Sequence, residues 1–261
     1  MPLTPPRLAV GLLLALAGCQ EQAPPPPLEV LDWSGRDQVC LALDQPLRVH
    51  FSAPLRAPLR PGSVLIVDEG DHEVPGLLVR ADGPYLQILP QLPTRPDLMD
   101  GSLVAGQSFA IRLRGLPSLA AVQGEGGEVL VGDLDLRFRT CPATDAAALI
   151  GLGQPGASLE LTPGQLAAGL LNFRPATEVL LRFSSGIDPR SLGEGARLLP
   201  TEGGEPRPIK LTLRRNALDE AVLHLDLDDW RGWGVLELPE GLEGLGGRPL
   251  APELRRVRVH R

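Results

Sequence analysis

The chain has 261 residues, 43% of them hydrophobic, which is enough for two ordinary domains that each bury a core and excludes disorder throughout. Its formal net charge of -7 argues against a general nucleic-acid binder, because such proteins present a basic face to the phosphates. With 30 Gly and 28 Pro, the dense punctuation favours many short elements joined by turns over long helices, and the fold class expected is all-β.

At the N-terminus Arg7 supplies a positive charge, and residues 8–16 form an apolar run too short to cross a bilayer as a mature helix. Leu16-Ala17-Gly18-Cys19 follows at once. This quartet resembles the lipobox of bacterial lipoproteins, which implies a signal peptide over residues 1–18, cleavage before Cys19 and lipid attachment at Cys19. Gln20, where Asp would retain the protein, resembles the sorting pattern that permits transfer to the outer membrane of a Gram-negative host. Residues 19–27 then hold the lipidated Cys19 and the run Pro24-Pro25-Pro26-Pro27, expected to form a polyproline II tether at about 3.1 Å per residue. A proline run can also be a ligand for aromatic-lined domains, but directly behind a lipid anchor a tether is the simpler reading.

The first folded unit is expected over residues 28–141. Its organising stretch is Leu47-Arg48-Val49-His50-Phe51, where alternation puts Leu47, Val49 and Phe51 on one face and Arg48 and His50 on the other, the pattern of a half-buried strand. Alternation and turn chemistry predict strands at 28–30, 47–51, 64–67, 76–79, 86–89, 109–113 and 134–138. Turn residues such as Asp68-Glu69-Gly70-Asp71 and Asp82-Gly83-Pro84 separate them. Seven short strands at this spacing read as a sandwich.

The order Leu47 to Leu55, then Leu65-Ile66-Val67-Asp68, Val74-Pro75-Gly76, Leu86-Gln87-Ile88-Leu89-Pro90, Phe109-Ala110-Ile111-Arg112-Leu113 and Leu136-Arg137-Phe138-Arg139-Thr140 resembles the bacterial Ig-like domain of the S-layer protein type. The match lies in a strand ending in Phe-Ser before a loop with Pro, a hairpin, a strand ending in Pro and a terminal strand near Phe-x-Thr. The chain departs from that pattern by extra residues at 91–105. The resemblance implies two tandem Ig-like sandwiches, because a second, more divergent copy is expected over residues 159–261. There Leu159-Glu160-Leu161 answers Leu28-Glu29-Val30 and Phe183-Ser184 answers Phe51-Ser52 at nearly constant offset.

Residues 142–158 are expected to be a flexible interdomain linker. Within them Gly151-Leu152-Gly153-Gln154-Pro155-Gly156 matches G-x-G-x-x-G, but a dinucleotide site needs a strand before the motif and a helix opening on it, and neither flank supplies one. No cofactor is expected.

Catalytic patterns also lack their context. Gly106-Gln107-Ser108-Phe109-Ala110 misses the G-x-S-x-G elbow and leads into a strand. His50, His72, His224 and His260 are scattered without metal-ligand spacing. Arg112, Arg114, Arg137 and Arg139 alternate with apolar residues, which reads as solvated charge on strands before an anion site, and Arg255, Arg256 and Arg258 read the same way. The acidic group Asp68, Glu69, Asp71 and Glu73 lacks the calcium-loop pattern and reads as a hairpin turn. With Cys19 taken by lipid and the chain meeting oxidising conditions, Cys40 and Cys141 are expected to form a disulfide, the alternative being two separate thiols.

One cluster remains as a candidate site: Asp226, Asp228, Asp229, Trp230 and Trp233. Carboxylates beside exposed indoles can hold calcium or stack on a sugar face, which makes the three aspartates weak metal candidates and Trp230 and Trp233 candidate ligand contacts. The blander alternative is a turn whose indoles pack on the core. The expectation from the whole chain is a non-enzymatic, lipid-anchored envelope protein whose modules act as spacer or binding surface. Its partners would be the membrane and an envelope polysaccharide or protein, and not nucleic acid. The competing expectation is an extracytoplasmic enzyme, a hydrolase or accessory subunit, with a dispersed active site.

Overall fold

The computed structural model describes residues 24–151, 158–167, 169–173, 179–201, 203–228 and 230–261. The signal segment, Cys19, most of the G-x-G-x-x-G motif and Asp229 lie outside the described residues. The chain is all-β: among the described residues the only helical turns are three short 3-10 segments.

The first module contains β1 (Val30–Trp33), β2 (Leu47–Phe51), β3 (Val64–Asp68), β4 (Leu78–Asp82), β5 (Tyr85–Leu89), β6 (Ser108–Leu113) and β7 (Leu134–Arg139). They form two antiparallel sheets, ordered β1-β2-β5-β4 and β3-β6-β7. Leu47, Val49 and Phe51 pack inward from β2, and Phe109, Ile111 and Leu113 meet them from β6. The alternating pattern therefore becomes a two-layer core, as apolar burial demands of a sheet with one wet face. The fourth strand starts at Leu78, two residues after the expected start, because Gly76 takes a left-handed φ of 75° in the turn before it. The extra residues 91–105 are not a loose insertion. Leu92, Leu98 and Leu103 plug the core, and the Asp100 carboxylate accepts from the Thr94 and Arg95 N–H groups at 3.0–3.3 Å.

Cys40 and Cys141 are disulfide-bonded across 101 residues of sequence. The flanking backbone explains the pairing. Leu41 N–H donates to Arg139 O at 2.8 Å and Cys141 N–H to Leu41 O at 2.9 Å, so the segment after β1 runs alongside the end of β7 and brings both cysteines together.

The second module contains β8 (Leu166–Ala167), β9 (Leu170–Asn172), β10 (Val179–Phe183), β11 (Arg197–Pro200), β12 (Arg207–Pro208), β13 (Lys210–Asn216), β14 (Ala221–Asp226), β15 (Trp233–Glu237), β16 (Glu243–Gly244), β17 (Arg248–Pro249) and β18 (Arg256–His260). A three-stranded sheet, β10-β14-β13, faces a six-stranded one, β12-β11-β15-β18-β9-β8, and β16-β17 form a small ribbon. All pairs are antiparallel except β18 with β9. Phe183, Leu181 and Leu223 meet Leu198, Leu236 and Val257 in a second core.

The two modules share their opening connections. Leu28 bridges Leu130 in parallel and Leu159 bridges Leu250 in parallel. Val30 pairs with Phe51 and Leu161 with Phe183. The N–H of Ser52 donates to Glu29 O, and that of Ser184 to Glu160 O, each at 2.9 Å.

The expectation of a flexible linker is corrected for its described first part. Residues 142–151 are tied down: Ala146–Ala148 make a 3-10 turn capped by Asp145, and the N–H groups of Ile150 and Gly151 donate to the Asp44 carboxylate at 3.0 and 2.6 Å. An Ala/Gly-rich stretch without strand or helix period reads as linker, but a buried carboxylate elsewhere in the chain supplies the acceptor that orders it.

Candidate functional site

The Trp230 to Trp233 turn follows β14. Leu227 still points into the core, and Asp228 then adopts φ 45°, a left-handed value that Asp tolerates better than bulky residues. The N–H of Trp230 donates to Leu227 O at 3.1 Å, closing the turn. The C-terminal residue fastens it. Arg261 and Gly232 exchange backbone hydrogen bonds at 2.9 and 3.1 Å, and Arg261 Nη1 donates to Asp228 O at 2.8 Å.

The turn separates the two indoles. Trp230 is 6% exposed and belongs to the second core, so as a ligand contact it is corrected to a buried wall that only borders the surface. Gly234 gives the ring room: a Cβ there would stand 3.0 Å from Trp230 Cζ2, so the packed indole would have to give by a few tenths of an ångström. Trp233, in contrast, is 43% exposed. Its ring centroid lies 4.4 Å from that of His260, its cross-strand partner, so one part of the indole is propped and the rest faces solvent.

Between this turn and the β11–β12 connection is an open concavity of about 570 Å³. Its lining includes Gly203, Gly204, Pro206, Pro208, Trp230 and Trp233, with Glu205, Arg207 and Arg231 at the same surface. A flat indole beside a Gly/Pro wall offers stacking area, and one carboxylate with two guanidinium groups offers planar hydrogen bonding. That combination suits a ligand with an apolar face, polar edges and negative charge.

The aspartates do not converge into a metal centre among the described residues. Asp226 Oδ1 accepts from the Asp228 N–H at 3.4 Å, and neither residue joins a group of three ligating side chains. The one such group, Cys40, Cys141 and Asp145, contains the disulfide, whose sulfurs are not thiolate ligands.

A second open concavity, of about 590 Å³, lies on the outer face of β3-β6-β7. Here the structure shows what the acidic hairpin and the alternating arginines do. Asp68 Oδ1 accepts from the Gly70 and His72 N–H groups at 2.8 and 2.9 Å, and these donors hold its carboxyl below the ordinary value, the His72 N–H first. Arg112 forks onto Asp135 at 3.0 and 3.1 Å and reaches Asp71 at 3.0 Å, which keeps Asp135 below the usual carboxylate range. Arg114 pairs with Asp133 at 2.6 Å. These charges mostly satisfy one another.

Sequence reasoning missed Glu205, Arg207 and Arg231 because they are ordinary surface charges until the turn and the hairpin meet. It also missed Asp44, Arg190 and Asn216, whose partners are 29 to 123 residues away except for the local Arg190–Asp188 pair.

No protein-family model matches the chain, and no curated protein does either. Among solved structures, the chain is similar to the N-terminal part of the bacterial S-layer protein SbsC, at 11% identity and a TM-score of 0.30, over 90% of this chain. The match spans 44% of that structure.

Proposed function

We propose that this is a lipid-anchored cell-envelope protein that works without chemistry, holding a binding surface away from the membrane. The observation that carries the reading is the quartet Leu16-Ala17-Gly18-Cys19 directly after a short apolar run and directly before a proline tether. Gln20 after the cysteine supports sorting to an outer membrane. The Cys40–Cys141 bond fits an exported chain, since disulfides persist outside reducing compartments. Two tandem Ig-like sandwiches would then serve as the spacer. The Trp233 concavity is the surface we assign to ligand contact, an envelope polysaccharide or protein being the partner class.

Fractionation of cells expressing the intact chain and its Cys19→Ala variant tests the anchor. The intact protein is expected in the membrane fraction and the variant in the soluble one. Equal membrane association of both would remove the anchor from the account. Turnover of an ester, peptide or glycoside by the purified protein would overturn the non-catalytic reading.

A further inference from the structure

We infer that the two sandwiches are locked into a single rigid body by a joint built from Asp44, Gly151, Arg190, Asn216 and Leu245, so that the chain does not bend between its modules. Interfaces between domains of one chain are usually small and polar, and relative motion is the default. Here four independent contacts oppose it.

The first is a shared core residue. Leu245 sits between the β16 and β17 strands of the second module, yet it is fully buried in the hydrophobic cluster of the first. Its N–H donates to Gly186 O at 3.1 Å, so the same residue is held by both modules.

The second is backbone approach without room for side chains. A Cβ on Gly151 would lie 2.7 Å from Leu245 O, and one on Gly246 would run into Ile150 O. Both glycines also have positive φ, 67° and 71°. The segment leaving the first module and the loop of the second therefore touch main chain to main chain, which only Gly allows. Asp44 holds that segment from the other side through the Ile150 and Gly151 N–H groups.

The third is Asn216, at the end of β13. Its buried amide Nδ2 donates to Pro93 O at 2.9 Å in the first module and to Ile187 O at 2.8 Å in the second, while Oδ1 accepts from the Ile187 N–H at 3.0 Å. Pro93 belongs to the 91–105 segment that Asp100 staples, so the acceptor itself is fixed. The fourth is Arg190. Its Nη1 donates to Ala143 O and Asp145 O, both at 2.8 Å, while Nε and Nη2 grip the Asp188 carboxylate at 2.7–3.1 Å. Bending the joint would strip the buried Asn216 amide of its Pro93 partner, which costs more than an exposed hydrogen bond returns.

The consequence is geometric. The Trp233 concavity keeps one orientation relative to Leu28. The inference stands on contacts alone and does not depend on the anchor or on the ligand.

Residue-resolved hydrogen exchange on the full chain as isolated tests it. The Ile150 and Gly151 amides are expected to exchange at least about 100-fold more slowly than an unstructured chain, and protection in β6 and β14 to be lost in one coincident denaturant transition. Asp44→Ala and Arg190→Ala should raise exchange at 148–151 while β6 and β14 keep their protection at low denaturant. Unprotected Ile150 and Gly151 amides in the unmodified chain, or separate transitions for β6 and β14, would overturn the proposal. That result needs neither variant to fold, and it would leave lipidation and ligand binding untouched.

Discussion

The N–H of Gly151 donates to the carboxylate of Asp44 at 2.6 Å, between residues 107 positions apart in sequence. Asp44 is fully buried, and its other oxygen accepts from the Ile150 N–H at 3.0 Å. Asn at this position would turn a donor toward one of the two N–H groups and leave it without a partner. Asp44→Asn is therefore expected to destabilise the chain by about 1–3 kcal/mol, read as a lower urea midpoint at unchanged slope. An unchanged midpoint would mean that this carboxylate does not hold the segment.

The same pair predicts a pH dependence. Burial pushes the Asp44 carboxyl above its ordinary value, against the pull of the Ile150 and Gly151 N–H groups. The native state thus binds this proton more tightly than the unfolded chain, where Asp titrates near about 3.9. The cost of burying the charge is fully present above the folded value and is relieved as pH falls through it. The stability gap between the unmodified protein and Asp44→Asn should widen from pH 7 toward about pH 4. A narrowing gap would reverse the sign of this account.

Asp135 behaves in the opposite sense. Its side-chain hydrogen bonds from Arg112 lower its folded value, so its contribution is present above the unfolded value and is lost as pH falls through the lower folded one. For Asp135→Asn, the gap from the unmodified protein should be constant near neutrality and shrink below about pH 4. A gap that persists at the lowest pH would mean that the Arg112 fork does not act through the ionised carboxylate.

Much of the first module is legible in its sequence for a simple reason. Leu47, Val49 and Phe51 alternate with Arg48 and His50, and one buried face with one wet face forces that alternation. The shared openings are legible too, since Glu29 before Ser52 and Glu160 before Ser184 repeat at nearly the same offset and make the same bond. The strands β8, β12, β16 and β17 are two residues long and carry no period to read. The joint was illegible because Asp44, Asn216 and Arg190 each look like surface polar residues until distant carbonyls and N–H groups arrive. The two indoles were ambiguous for a related reason: a turn between them breaks any periodicity, so only the fold assigns one to the core and the other to solvent.

The indoles separate stability from binding. Trp230→Ala removes a core side chain and is expected to destabilise by about 3–5 kcal/mol, visible as a large drop in thermal midpoint. Trp233→Ala should change stability by only about 0.5 kcal/mol while weakening retention on an anionic polysaccharide column. Retention unaffected by Trp233→Ala would take the concavity out of consideration as a contact surface.

The disulfide closes a long loop, its cysteines lying 101 positions apart in sequence. Reduction, or paired Cys40→Ser and Cys141→Ser replacement, should cost up to about 4.7 kcal/mol in the chain-entropy description. The loss should be seen by both modules if the joint couples them, and by the first alone if it does not.

Mass spectrometry of the mature N-terminal peptide, from protein isolated out of cell membranes, bears most directly on the account of a tethered envelope module. A peptide that begins at Cys19 and carries acyl groups is the predicted result. A mature N-terminus at any other residue, or an unmodified Cys19 on protein released in soluble form, would contradict it.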